Sequence, residues 1–226
     1  RRAVSMQPGF AGAWLNLGNT FKEQDKYPEA IASYRKAIEV KPDFADAYFN
    51  LGNVLKEEAE VEEAIASYRK AVEVKPDFAG AYLGLGIVLK EEGEIEEAIG
   101  SYRKAIELKS DFADAYLNLG NVLKDEGEIE EAIESYRKAI EEKPDFLNAL
   151  SILAEILSNQ EEYEEAISLY QRALAVDDKH VNSSAGLGWT FLKAARPQQA
   201  VAYYASVLRK TPVNTDALFF LFESFK

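Results

Sequence analysis

Cysteine is absent from this sequence of 226 residues, and histidine and methionine occur once each. Without cysteine there is no disulfide, no thiolate nucleophile and no sulfur-ligated metal. A single histidine, His180, cannot build a zinc site, and any Ser-His-Asp arrangement would have to use it. It falls at an expected turn where earlier stretches have phenylalanine, so we read it as a surface or packing residue. No catalytic residue, no metal and no cofactor are expected. Long apolar runs are missing too. The run Ala217 to Phe222 is far too short to span a bilayer. Positive charge is scarce, with 26 basic against 39 acidic side chains and a net charge of -13. Such a field repels phosphate backbones and anionic membrane surfaces, and favours basic or neutral partners. Neither nucleic acid nor membrane is expected as a partner, and the chain is read as cytoplasmic.

What the sequence has in quantity is repetition. Residues 45–78 recur almost verbatim at 113–146, and closely at 11–44 and 79–112. The register is marked by Gly18, Gly52, Gly86, Gly120 and Gly188, with Ala154 at the one missing place, in steps of 34 residues. A period of this length signals an array of supersecondary units, each touching only its neighbours. Six full units follow, 11–44, 45–78, 79–112, 113–146, 147–180 and 181–214, in one array over 1–226. Residues 1–10 match the close of an earlier unit, and 215–226 the first helix of a later one. The chain is therefore expected to be a piece of a longer protein.

Each unit reads as two antiparallel helices. In 45–78 the first spans about Ala45 to Glu58, with Tyr48, Leu51, Gly52 and Leu55 at helical spacing. The second spans about Glu62 to Val74, with Ala64, Ile65, Tyr68, Ala71 and Val72 on one stripe. Small residues at Gly52, Ala64 and Ala71 let helices approach closely, and the bulky neighbours fill the space around them. In two units the intervening turn contains Gly93 or Gly127, which accept a left-handed conformation. Lys-Pro-Asp after the second helix supplies a cation for the helix end, a stop, and an expected aspartate cap for the next helix.

An aromatic, Leu-Gly, Ala, an aromatic, Ala and Pro, here Tyr48, Leu51-Gly52, Ala64, Tyr68, Ala71 and Pro76, resemble the tetratricopeptide repeat (TPR). The resemblance implies an all-α, right-handed superhelical solenoid of antiparallel helix pairs. Helices like 45–58 would then line a concave inner wall, and those like 62–74 the outer wall. In the chaperone-binding members, Lys and Arg on the inner wall clamp a carboxylate. Leu15, Phe49, Leu83 and Leu117, or Asp46 and Asp114, hold those places here, so anionic tails should bind poorly.

Other motifs fail on inspection. The Glu-rich turns at 91–99 and 125–133 lack the alternating ligands of a calcium loop. The glycine pairs Gly84/Gly86 and Gly186/Gly188 lie inside expected helices and lack the third glycine of a dinucleotide fingerprint. The recurring Arg-Lys pairs have glutamates four residues on, such as Arg35 with Glu39 and Arg69 with Glu73. They read as a solvated face stabilised by i, i+4 pairs.

One stripe stands apart from the core pattern. On a helical wheel Asn50 and Asn53 fall opposite Tyr48, Leu51, Gly52 and Leu55. Asn16 and Asn19 take the same places in the first unit, and Asn118 and Asn121 in the fourth. An amide both donates to and accepts from a peptide backbone, so a ladder of them can hold an extended chain with little regard for its sequence. The stripe NLGNVLKE at 50–57 is similar to the inner wall of the O-GlcNAc transferase family, where asparagines hold substrate polypeptide. By that resemblance Asn16, Asn50 and Asn118 are peptide-holding, while Gly84, Ile152 and Gly186 interrupt the ladder. Leu83, Gly84 and Ile87 make an apolar notch, and Trp189 projects from the equivalent face of the sixth unit.

The expected function is a non-enzymatic scaffold holding an extended protein or peptide segment in its groove. Two rivals stand beside it, the substrate-recruiting region of a larger enzyme such as an O-GlcNAc-type transferase, and a self-assembling array. The second rests on the last helix, where Leu218, Phe219, Phe220, Leu221, Phe222 and Phe225 are expected to be covered by a further segment or another copy.

Overall fold

The computed structural model describes residues 9–210. They form twelve helices and no strand. These are α1 (Ala11–Lys22), α2 (Tyr27–Val40), α3 (Ala45–Glu57), α4 (Val61–Val74), α5 (Ala79–Glu91) and α6 (Ile95–Leu108), then α7 (Ala113–Asp125), α8 (Ile129–Glu142), α9 (Leu147–Asn159), α10 (Tyr163–Val176), α11 (Val181–Lys193) and α12 (Pro197–Lys210). Every odd-numbered helix starts 34 residues after the previous one, and so does every even-numbered helix. The helices of 45–78 end within a residue of where periodicity put them. The readings made for the first eight residues and for the apolar stretch 215–226 lie outside the described residues.

The chain divides into two compact units, up to Val122 and from Leu123, with the border inside α7. In the first, α1 packs on α2, α3 on α4 and α5 on α6, with α2 against α3 and α4 against α5. The first helices of successive repeats also touch, α1 with α3 and α3 with α5. In the second unit α9 packs on α10 and α11 on α12, with α8 against α9, α10 against α11, and α9 touching α11.

The reason the helices pack this way is one tyrosine per repeat. Tyr34, Tyr68 and Tyr102 in the first unit are fully buried, as is Tyr136 in the second, where Tyr170 and Tyr204 are nearly so. Each ring needs a bare patch of helix to lie on. A Cβ on Gly52 would stand 2.9 Å from Tyr68 Cε1, and one on Gly86 2.6 Å from Tyr102 Cε1. Gly18 meets Tyr34, and Gly188 meets Tyr204, in the same manner. Tyr68 is also flanked by the next repeat, because a Cβ on Gly84 would fall 2.6 Å from its Cε1. Ala30, Ala37, Ala64 and Ala71, all fully buried, keep the second helices equally close. A large ring set between small residues gives tight packing without voids.

The turn inside each pair has its own requirement. Gly93 and Gly127 sit at φ 83° and 85°, as their place in the turn predicts. The same corner falls on Asp25, Ala59, Glu161 and Ala195 in the other repeats, at φ 55°, 59°, 69° and 55°. There the left-handed backbone crowds a Cβ, at a cost of about 1–2 kcal/mol each.

Two local expectations are corrected. Aspartate does not cap the following helix: the N-cap residues are Phe10, Phe44, Phe78 and Phe146, without a side-chain bond, because the helix begins one residue later than an aspartate cap requires. The preceding lysines instead lie over these rings, Lys41 Nζ 4.9 Å from the Phe44 centroid and Lys75 Nζ 4.8 Å from that of Phe78. Nor do Arg35 and Arg69 pair within their own helix. Arg35 reaches Glu63 at 2.6 Å and Arg69 reaches Glu97 at 2.9 Å, each in the next repeat. The i, i+3 places are taken by lysine, as in Lys36–Glu39 at 2.5 Å and Lys70–Glu73 at 2.7 Å. All are half-exposed and contribute at most about 1 kcal/mol each.

The tyrosine-on-glycine contact can be tested by filling it. Gly52→Ala has no room for its methyl beside the buried Tyr68 ring and should cost about 1–3 kcal/mol. The urea midpoint should fall while the far-ultraviolet spectrum of the folded state is retained.

Candidate functional site

The first helices present the asparagines picked out by the wheel. In the first unit α1 supplies Asn16 and Asn19, α3 supplies Asn50 and Asn53, and α7 supplies Asn118 and Asn121. Asn16 is exposed and the other five are half-buried. Leu83 and Ile87 of α5, half-buried, occupy the gap between the amide-bearing repeats, and Trp189 of α11 is 43% exposed.

The placement adds a role that the wheel missed. Tyr34 donates its hydroxyl to Asn19 Oδ1 at 2.8 Å, and Tyr68 to Asn53 Oδ1 at 2.8 Å. Asn50 Nδ2 also donates to Asn19 Oδ1, at 3.2 Å, linking two repeats. Core packing therefore does involve these asparagines. They satisfy buried tyrosines that would otherwise lose a hydrogen bond. The signal was present as a constant spacing of fifteen residues from Asn19 to Tyr34 and from Asn53 to Tyr68. It stayed hidden because a wheel describes one helix at a time.

At one place where the amide is missing, the tyrosine is left alone, whereas Tyr204, whose counterpart is Trp189, donates to the Ala185 carbonyl at 3.4 Å. Ile87 stands in the place of Asn19 and Asn53, and the hydroxyl of Tyr102 is buried without a partner. Among the other rungs, Asn118 Nδ2 donates back to the Asp114 carbonyl at 2.8 Å, and Asn121 is also engaged. Asn16 makes no side-chain bond within the described residues; only its carbonyl is used, by Thr20 Oγ1 at 2.9 Å. Because the tyrosines take Oδ1 of Asn19 and Asn53, the Nδ2 groups are turned elsewhere, and nothing described accepts from them. These are donors held in fixed positions.

His180 is a structural cap. Its Nδ1 lies 2.7 Å from Ser183 Oγ and accepts from Ser183 N at 3.3 Å, closing the start of α11. Among the described residues no group of three or more His, Asp or Glu side chains could hold a metal ion, and no helix is long and apolar enough to cross a membrane.

Burial, assisted by the charge of Glu23, pushes the Tyr34 hydroxyl up to about 12. Tyr68, Tyr102, Tyr136, Tyr170 and Tyr204 are raised further still, with burial the largest cause in each.

A helix pair repeated at a fixed period, with one buried tyrosine seated on small residues, defines a helical repeat protein. Tetratricopeptide-repeat models match residues 18–58, 56–93 and 88–127, then 113–146, then 145–210. The chain belongs to the tetratricopeptide repeat family. Among solved structures it is similar to pilF of Pseudomonas aeruginosa, at 23% identity and a TM-score of 0.78 over 94% of this chain and 97% of that one. It is similar to MamA at 29% identity and TM-score 0.66, over 72% and 95% of the two chains. YrrB, described as "a TPR protein with an unusual peptide-binding site", shares the fold at 24% identity and TM-score 0.65, over 80% and 94%. Among curated protein sequences nothing matches.

Two outcomes follow from the tyrosines. Tyr68→Phe loses a made bond and should cost about 0.5–1.5 kcal/mol, whereas Tyr102→Phe removes a hydroxyl that has no partner and should leave stability unchanged or raised. Denaturant midpoints of the two variants read the difference directly. The second outcome concerns alkali. An unfolded tyrosine ionises near about pH 10. Below that both states are protonated and stability is complete. Above it only the unfolded chain releases protons, so stability falls as pH rises towards the folded values. Thermal midpoints should drop above about pH 10, and the buried tyrosines should ionise together with loss of helix.

Proposed function

We propose that this chain is a non-enzymatic interaction scaffold that holds an extended partner segment along the face of its first helices. The observation supporting this reading is the set of amide donors at Asn19 and Asn53, oriented by the tyrosines beneath them and unused by the chain. Asn50 adds a carboxamide oxygen, and Asn16 a whole amide, on the same face. Neighbouring helices pack about 8–10 Å apart. Three extended residues cover about the same distance, at about 3.3–3.6 Å each. One rung per repeat can thus meet a bound backbone once every three residues. Orientation beforehand lowers the ordering cost of binding. The fold shared with YrrB is one on which a peptide-binding site occurs.

The test separates holding from folding. Asn16, Asn50 and Asn118 can be replaced without removing the acceptors of Tyr34 and Tyr68. A peptide selected from a random library on the full chain should lose about ten- to a thousandfold affinity for the triple alanine variant, at about 0.5–1.5 kcal/mol per bond. Helicity should be retained, and the affinity should depend weakly on salt. Unchanged affinity would remove Asn16, Asn50 and Asn118 from the binding surface and leave only the Asn19 and Asn53 donors on this face.

A further inference from the structure

In the second unit α9, α10 and α11 line an open cavity of about 530 Å³ whose lining differs from the amide face. Ile152 and Glu155 of α9 occupy the repeat positions of Asn50 and Asn53, and Gly186 and Trp189 of α11 occupy them again one repeat later. Tyr170 of α10 forms the floor and Asn182 stands at the rim.

Three groups there are unspent. Tyr170 is 3% exposed, yet its hydroxyl has no partner among the described residues, since Glu155 does not receive it as Asn19 and Asn53 receive Tyr34 and Tyr68. The absent side chain of Gly186 leaves that hydroxyl open to the cavity, because a Cβ there would stand on it. The exposed Glu155 carboxylate has no hydrogen bond or ion pair, and neither does the exposed Asn182 amide have a bond. Beside them Trp189 is 43% exposed.

We infer that this cavity receives an arginine side chain of the partner segment, its guanidinium on Glu155 and its flat face along Trp189. Glu155 accepts from the guanidinium, the Tyr170 and Asn182 oxygens accept from its remaining N–H groups, and Ile152 packs on the methylene stem. An indole attracts a cation across its face, and arginine stacks there better than lysine. An anion is refused by Glu155 and by the net charge of -13. Lys193 is bound to Asn159 Oδ1 at 2.7 Å at one end of the cavity, so the incoming cation docks on Glu155 rather than on Asn159. The inference rests on the scaffold reading in that the arginine belongs to an extended segment, but it uses none of the amide rungs.

The test uses the full chain, labelled with nitrogen-15, in which the only indoles are Trp14 and Trp189. The probe is the blocked pentapeptide Gly-Ser-Arg-Ser-Gly, with a second in which citrulline, the neutral isostere, replaces arginine. The arginine peptide should shift the Trp189 indole signal saturably and leave Trp14 in place. Citrulline should weaken this at least about tenfold, and so should Glu155→Gln, each removing one close charge pair. No saturable shift, equal binding of the citrulline peptide, or unaltered binding by Glu155→Gln would overturn the inference. The Asn16, Asn50 and Asn118 triple variant should bind this probe normally. If a library-selected peptide also ignores that variant, the amide ladder fails while the arginine cavity stands.

Discussion

The buried tyrosine of each repeat sets the terms for everything else. A ring that is fully buried, as at Tyr34, Tyr68 and Tyr102, needs small residues above and below it. Gly52 and Gly84 supply this for Tyr68 from two successive first helices, so one side chain joins a repeat to its own partner helix and to its neighbour. The hydroxyl on that ring then needs an acceptor, since a buried O–H left unmade costs about 1–3 kcal/mol. Asn19 and Asn53 meet the need at 2.8 Å.

Under the proposed scaffold function, that requirement couples stability to recognition. The asparagine that satisfies the core is the same residue that faces outward, and the core bond decides which end of its amide is offered. Oxygen goes to the tyrosine, and the N–H has no acceptor among the described residues. An amide face built this way inherits its order from the core rather than from surface packing. The converse holds at Ile87, where the outward amide is absent and the Tyr102 hydroxyl beneath it is orphaned. In the second unit Glu155 takes the amide's place and leaves both its own carboxylate and the Tyr170 hydroxyl uncommitted. At Ile87 and Glu155 the departure from the repeat therefore changes surface chemistry and core satisfaction together.

Charge plays a lesser structural part. The pairs Arg35–Glu63, Arg69–Glu97 and Arg137–Glu165 link adjacent repeats within each unit, and lysines bind glutamates one turn on. These exposed pairs add little stability. They leave the acidic excess intact, which suits a basic or neutral partner.

The helix pairs, their boundaries, the left-handed turns at Gly93 and Gly127 and the family were legible in the sequence, because a 34-residue period superposes six readings of the same local preferences. Spacing within one helix also grouped the amides, but it set them apart from a core to which Asn19 and Asn53 are in fact bonded. It could not show that Asn53 accepts from Tyr68, that Arg69 reaches Glu97, or that Phe44 rather than Asp43 stands at the helix start. Each of these depends on how one helix lies against the next, or on a backbone angle at the turn between them. Hydrophobic period fixes which side of a helix faces inward; only the packed neighbours decide which polar atom on that helix is satisfied and which is left to meet a partner.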